Sequence, residues 1–217
     1  GFRAHLGFLG GADPEPTNAP VVFGLTPPFG PGAGGTPVLV SGLHFDHLGA
    51  GPTLDIVIGS ASATDLVVLG DTQVTLKTPP GDLGPADVRV LNANGFDVLP
   101  DAFVFTPAVV APAQAPIGSS VTLADYGPVG GIFSLWMSPF TTSIPLPPWG
   151  TLLIGPSQLV KVAEQPYPAP HGVHELVLGV PNDPTLAGLP VHFQAAAVTS
   201  LAPLTIVLTN RSTTLVL

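Results

Sequence analysis

Short apolar runs, each closed by Gly or Pro, follow one another along almost the whole chain, and inside the runs apolar and polar residues alternate. In PADVRVLN, Val88 and Val90 point to one side and Asp87 and Arg89 to the other, which predicts a strand with one wet face. Asn94-Gly95 follows, the residue types a tight turn with positive φ requires. In DAFVFTP, Phe103 and Phe105 alternate with Val104, so one of the two sets is expected to complete a core just before Pro107. In GIFSLWMS, Ile132, Ser134 and Trp136 share one face and Phe133, Leu135 and Met137 the other, and one of these sets is core. The same period runs through the first residues, where Phe2, Ala4, Leu6 and Phe8 alternate with Arg3, His5 and Gly7. That strand stands apart, because GGADPEPTNAP follows it at once.

The pattern predicts an all-β protein with almost no helix. The 28 Pro and 26 Gly would suggest low complexity if clumped, but here they punctuate strands. With 45% hydrophobic residues the chain can build a core, and 217 residues fit one large sandwich or two of immunoglobulin size. The expected division is residues 1–19 as strand and linker, 20–107 as a first sandwich and 108–217 as a second sandwich or jelly roll.

In the first of these, Thr26-Pro27 precedes Gly30-Pro31, then Gly34-Gly35-Thr36, the strand PVLVSG leading to Phe45, VIGSASAT, Thr78-Pro79-Pro80, and GPADVRVLNANG leading to DAFVFT. In this order of features residues 20–106 resemble the immunoglobulin-like IPT/TIG family. The resemblance implies a seven-strand sandwich. It fixes fold better than role, since members occur in receptor ectodomains, transcription factors and repeated bacterial surface proteins. The DNA-binding members use basic loops, which this sequence lacks. VPNDPTLAGLPVHFQAAAV with PLTIVLTN resembles a C-terminal β domain that recurs in secreted bacterial proteins, which implies an extracellular setting and no chemistry.

Charge narrows the partners. Only 9% of residues are charged, the net charge is −9, and Arg3, Lys77, Arg89, Lys161 and Arg211 stand singly, so no basic patch exists for nucleic acid. A surface so poor in charge is expected either to be buried against partners or to be the ordinary covering of a Thr- and Pro-rich exported protein. There is no cysteine and hence no disulfide framework. No run reaches the ~18 to 20 apolar residues of a membrane span. A start at Gly1 matches removal of a signal peptide, so an extracellular or cell-surface location is expected.

Candidate chemistry is sparse. HFDH brings His44, Asp46 and His47 together and HGVH brings His171 and His174, but a zinc site needs three or four converging ligands. On a strand His44 and His47 would face opposite sides, with Asp46 beside His44. No Gly-x-Ser-x-Gly elbow and no Cys nucleophile is present, and GPGAGGT lacks the Lys and helix of a phosphate loop. Glu164 and Glu175 flank a Pro-rich loop and read as solvated turn residues. The expectation is a non-enzyme without cofactor or metal. Trp149 and Tyr167 are the candidate platform for a carbohydrate ligand, and Asn210-Arg211-Ser212 is a sequon that counts only in a glycosylating pathway.

The detached strand splits the functional readings. Phe2, Ala4, Leu6 and Phe8 are expected to pair with an edge of their own second domain, to lie disordered as many termini do, or to add to a sheet of a neighbouring copy, the covalent arrangement a head-to-tail polymer requires. The first functional class is an exported structural subunit of a fibre or surface assembly whose partner is itself. The second is an accessory carbohydrate- or protein-binding module of a larger secreted enzyme or adhesin.

Overall fold

The computed structural model describes residues 18–46 and 54–217, so the strand expected from the sequence at residues 2–8 lies outside the described residues. The described chain is all β, with one short 3-10 turn at Pro184–Leu186 and no α-helix.

The first half supplies nine strands: β1 (Val21–Thr26), β2 (Phe29–Pro31), β3 (Pro37–Leu43), β4 (Asp55–Ile58), β5 (Ala61–Ser62), β6 (Thr64–Gly70), β7 (Gln73–Lys77), β8 (Gly84–Asn92) and β9 (Gly95–Thr106). They form two layers, a four-stranded sheet ordered β1-β3-β7-β6 and a five-stranded sheet ordered β2-β9-β8-β4-β5. The inward sets of the two layers meet in one cluster that includes Val40, Phe45, Ile56, Val74, Val88, Val90, Phe103 and Phe105. The alternation in β8 is as the sequence predicts: Val88 and Val90 are fully buried while Asp87 and Arg89 are exposed. Of the Phe103/Phe105 and Val104 sets, it is the phenylalanines that join this core, with their rings edge to face at 5.1 Å.

The sequence signature of this half is a set of interlocking backbone positions. Gly34, at φ +77, places its Cα where a Cβ would strike the Pro79 carbonyl. The Gly35 N–H donates to Thr78 O, the Thr78 N–H returns to Thr36 O, and the Thr36 N–H donates to Thr78 Oγ1 at 3.1 Å. Gly34-Gly35-Thr36 and Thr78-Pro79-Pro80, distant in sequence, are thus two sides of one clasp.

The second half supplies β10 (Ala108–Val110), β11 (Gln114–Ala115), β12 (Ser120–Tyr126), β13 (Ile132–Ser138), β14 (Thr141–Leu146), β15 (Gly150–Ile154), β16 (Val160–Pro166), β17 (Val173–Gly179), β18 (Pro190–Leu201), β19 (Leu204–Leu208) and β20 (Ser212–Val216). A three-stranded layer, β10-β12-β17, faces a six-stranded one ordered β11-β20-β18-β13-β16 with β19 also on β18. The core between them includes Val109, Leu123, Phe133, Leu135, Tyr167, Phe193 and Ala195. Phe133 and Leu135 are therefore the core set of β13, and Trp136 stays half-buried on the far side. The β14–β15 hairpin lies on that far side: Gln194, 2% exposed, accepts from Leu153 N at 2.8 Å and donates to Thr151 O at 2.9 Å.

The two halves touch at their junction. Phe29 of β2 and Tyr126 of β12 meet with their rings tilted at 57° and their centroids 5.6 Å apart. Asn210 clamps the first strand after the junction, accepting from Val109 N and donating to Val109 O, both at 2.9 Å. Gly84, at φ +118, leaves room for the Asn210 side chain.

Candidate functional site

The candidate platform residues do not come together. Trp149 stands 47% exposed in the β14–β15 turn, where its carbonyl accepts from Leu208 N. Tyr167 is 1% exposed and packs on Phe133 at 5.2 Å, so the sequence-based pairing of Tyr167 with Trp149 as a ligand surface is corrected. The reason is polar: the Tyr167 hydroxyl donates to Asp125 Oδ1 at 2.8 Å, which lets the aromatic end be buried with its O–H satisfied.

The histidine reading changes as well. His44 does not lie on a strand; β3 ends at Leu43 and His44 adopts φ +63, with Nδ1 at 2.9 Å from Ala19 O. It braces the segment entering β1, and His47 lies outside the described residues. Among the described residues no group of three His, Asp or Glu converges as a metal site would require. Glu164 and Glu175 lie on strands of different layers, β16 and β17, and Glu164 pairs with Lys161. Asn210 of the sequon has its amide committed to Val109.

Asp125, Tyr167 and His174 form a polar cluster inside the second core that the sequence did not signal. Asp125 and His174 are directly opposite in the β12–β17 register, hence on the same face, and the His174 ring lies 5.2 Å from Phe133. Asp125 Oδ2 and His174 Nδ1 are both buried without a hydrogen-bond partner. Burial pushes the Asp125 carboxyl up to about 7 against the opposing pull of the Tyr167 hydrogen bond. Burial and the neighbouring carboxylate push the Tyr167 hydroxyl far above its usual range.

The sheet edges are the other feature with functional content, because an open edge presents unpaired backbone to any extended chain. Most edges are blunted. At β1 the Val22 N–H is taken by Asp97 Oδ2 at 2.9 Å. β6 has two register irregularities and an exposed Lys77–Asp65 ion pair. β2 and β5 have three and two residues. β10 gives its Val109 N–H to Asn210, and the next residue after the strand, Ala111, gives its N–H to Ser212. β16 carries Lys161, Glu164 and Pro166 and a bulge. β14 contains Pro145 and an irregular register, and β19 gives its Leu208 N–H to the Trp149 carbonyl. β17 differs: all seven residues pair with β12 without a bulge, and no described strand pairs its other side.

Two facing layers of β strands around an apolar core make the first half an immunoglobulin-like sandwich. The family model for the IPT/TIG domain matches residues 20–106, and that part of the chain is an IPT/TIG domain. Among curated proteins no sequence matches the chain. Among solved structures it is similar to the plexin A4 full extracellular region, at 17% identity over 53% of this chain and 10% of that one, TM-score 0.36. It is also similar to gamma-CGTase from Alkalophilic bacillus clarkii, at 19% identity over 91% and 27%, TM-score 0.34. A third is the Bacteroides ovatus mixed-linkage glucan utilization locus SGBP-B in complex with a mixed-linkage heptasaccharide, at 16% identity over 84% and 42%, TM-score 0.29. The chain thus spans between 10% and 42% of the length of these proteins. At these scores the likeness assigns neither ligand nor partner.

Proposed function

We propose that this chain is a non-catalytic, exported structural module that assembles with copies of itself, built as two sandwich domains meeting at Pro107. The observation that carries the reading is the surface. Large apolar side chains stand exposed in both halves, among them Phe23 at 59%, Phe96 at 67%, Leu201 at 72% and Leu204 at 65%, on a chain with only 9% charged residues. Val67 and Leu69 add a second exposed pair on the outer face of β6. A surface of this kind is stable in water when much of it is covered in an assembly. No helix among the described residues is long and apolar enough to cross a membrane. Sedimentation velocity of the full chain over a wide concentration range, with negative-stain microscopy of the same samples, tests the proposal. Association that grows with concentration is expected. A single 22.0 kDa species at every concentration would overturn it.

A further inference from the structure

We infer that the open edge of β17 receives residues 2–8 of a second copy as a fourth strand of the β10-β12-β17 layer; this rests on the assembly reading above and supplies its contact. The two layers of the second half are unequal, and their alignment shows where the shorter one stops. At one side β10 lies against the β20 end, through Val109 with Asn210 and Ala111 with Ser212. At the other side β17 lies over β13, through His174 with Phe133. β13 is followed in its own layer by the edge strand β16, whose Val162 and Ala163 pack against the core from that edge.

Register identifies the uncovered face. Leu135 pairs with Ala163 and Met137 with Val160, so Ala163 and Val160 share the core-facing side of β13, yet Val160 is 48% exposed. A strand added to β17 would lie over β16, and its inward side chains would cover Val160 and meet Leu176 and Leu178.

The chain's opening segment fits that position. Its alternation offers Phe2, Ala4, Leu6 and Phe8 to one face and Arg3, His5 and Gly7 to the other. With the apolar set inward, the outward set runs beside the outward residues of β17, where Glu175 is exposed between Val173 and Val177. Arg3 is one of only five Lys and Arg residues in the chain, and a parallel register that sets it beside Glu175 places Phe2, Ala4 and Leu6 beside His174, Leu176 and Leu178, with Phe8 at the far end of β17.

Reach favours a second copy over the chain's own segment. Asn18 is held at the β8–β9 turn, its carbonyl accepting from Asn92 and Asn94. Val173 is at the other end of the first half, beside Tyr126, whose ring packs against Phe29, itself paired with Val104 of β9. From Gly95 to Val104 along β9 is about 30 Å at ~3.3 Å per residue. The link from Phe8 to Asn18 extends at most ~35 Å. Pairing within one chain would need that Gly- and Pro-containing link pulled straight to reach even the near end of β17, and the far end lies another ~20 Å on.

The test uses the full chain, a chain lacking residues 1–9, and the free peptide GFRAHLGFLG. The shortened chain is expected to stay monomeric, to bind the peptide one to one, and to show about tenfold slower amide exchange in β17 with peptide bound and little change at other edges. Glu175→Arg should weaken peptide binding several-fold, and a peptide with Leu6→Ser and Phe8→Ser should not bind. Association that survives the deletion places the contact elsewhere, for example β17 against β17, and overturns the inference while leaving the assembly reading intact. Peptide binding without protection of β17 also overturns it, as does a monomeric full chain whose β17 amides are already protected. A full chain that never associates overturns both.

Discussion

Asp125 is the residue whose ionisation the fold opposes most strongly among the described carboxylates. Its pKa is raised to about 7 by burial, while in the unfolded chain it returns to its ordinary value of 3.8. Between those two values the native state holds a proton that the unfolded state has released. Stability is therefore fully present below pH ~4, falls as pH rises through the folded pKa, and levels off above it, by an amount on the order of a few kcal/mol. Asp125→Asn keeps an acceptor for the Tyr167 hydroxyl and removes the titration. Thermal melts of the two proteins from pH 4 to 8 should show a declining Tm in the parent and a flatter profile in the variant, and parallel profiles would refute the assignment. The sequence held no sign of this cluster, because Asp125 and Tyr167 are 42 residues apart and neither sits in a motif; the pairing of β12 with β17 brings His174 to Asp125, and the backbone bonds of Tyr167 to Gly130 and Gly131 at the end of β16 bring in the third member. Asn210 was legible only as a sequon, although its amide clasps Val109. Asn210→Ala removes two hydrogen bonds from a half-buried strand and should cost about 1 to 3 kcal/mol in urea denaturation.

At the scale of elements, what could be read beforehand is what obeys a local period. β8 and β13 alternate over seven or more residues, so their buried and exposed sides follow from side-chain direction alone. β2, β5 and β11, with three residues or fewer, are too short to show a period and exist because long-range partners pair with them. The β8–β9 turn is displaced by one residue from the expected Asn94-Gly95: Asn92 pairs with Gly95, so Ala93 and Asn94 form the turn and Gly95, at φ +149, already begins β9. The family clasp between Gly34-Gly35-Thr36 and Thr78-Pro79-Pro80 was readable as a string and not as a contact. Gly34→Ala tests it. A Cβ there meets the Pro79 carbonyl in a left-handed conformation, so the variant should lose more than the ~1 to 2 kcal/mol of the conformational penalty alone. A change in Tm of under a degree would mean that the loop yields freely.

For the whole molecule, the question is whether the two cores are two cooperative units. The first buried cluster draws only on residues from Val22 to Phe105, and the second only on residues from Val109 to Ala197. Neither needs the other's side chains to close, so residues 18–107 and 108–217, expressed apart, should each fold, and the intact chain should melt in two calorimetric transitions. The junction couples them weakly, through Phe29 on Tyr126 and Asn210 beside Gly84. An aromatic pair of this kind contributes about 0.5 to 1.5 kcal/mol beyond its buried area. Phe29→Ala should therefore lower both transitions by a few degrees, because the ring bridges the halves and sits outside both clusters. If either fragment alone is unfolded, or if Phe29→Ala destabilises one transition and leaves the other unmoved, the halves are not two units joined by a small contact, and the boundary at Pro107 is wrong.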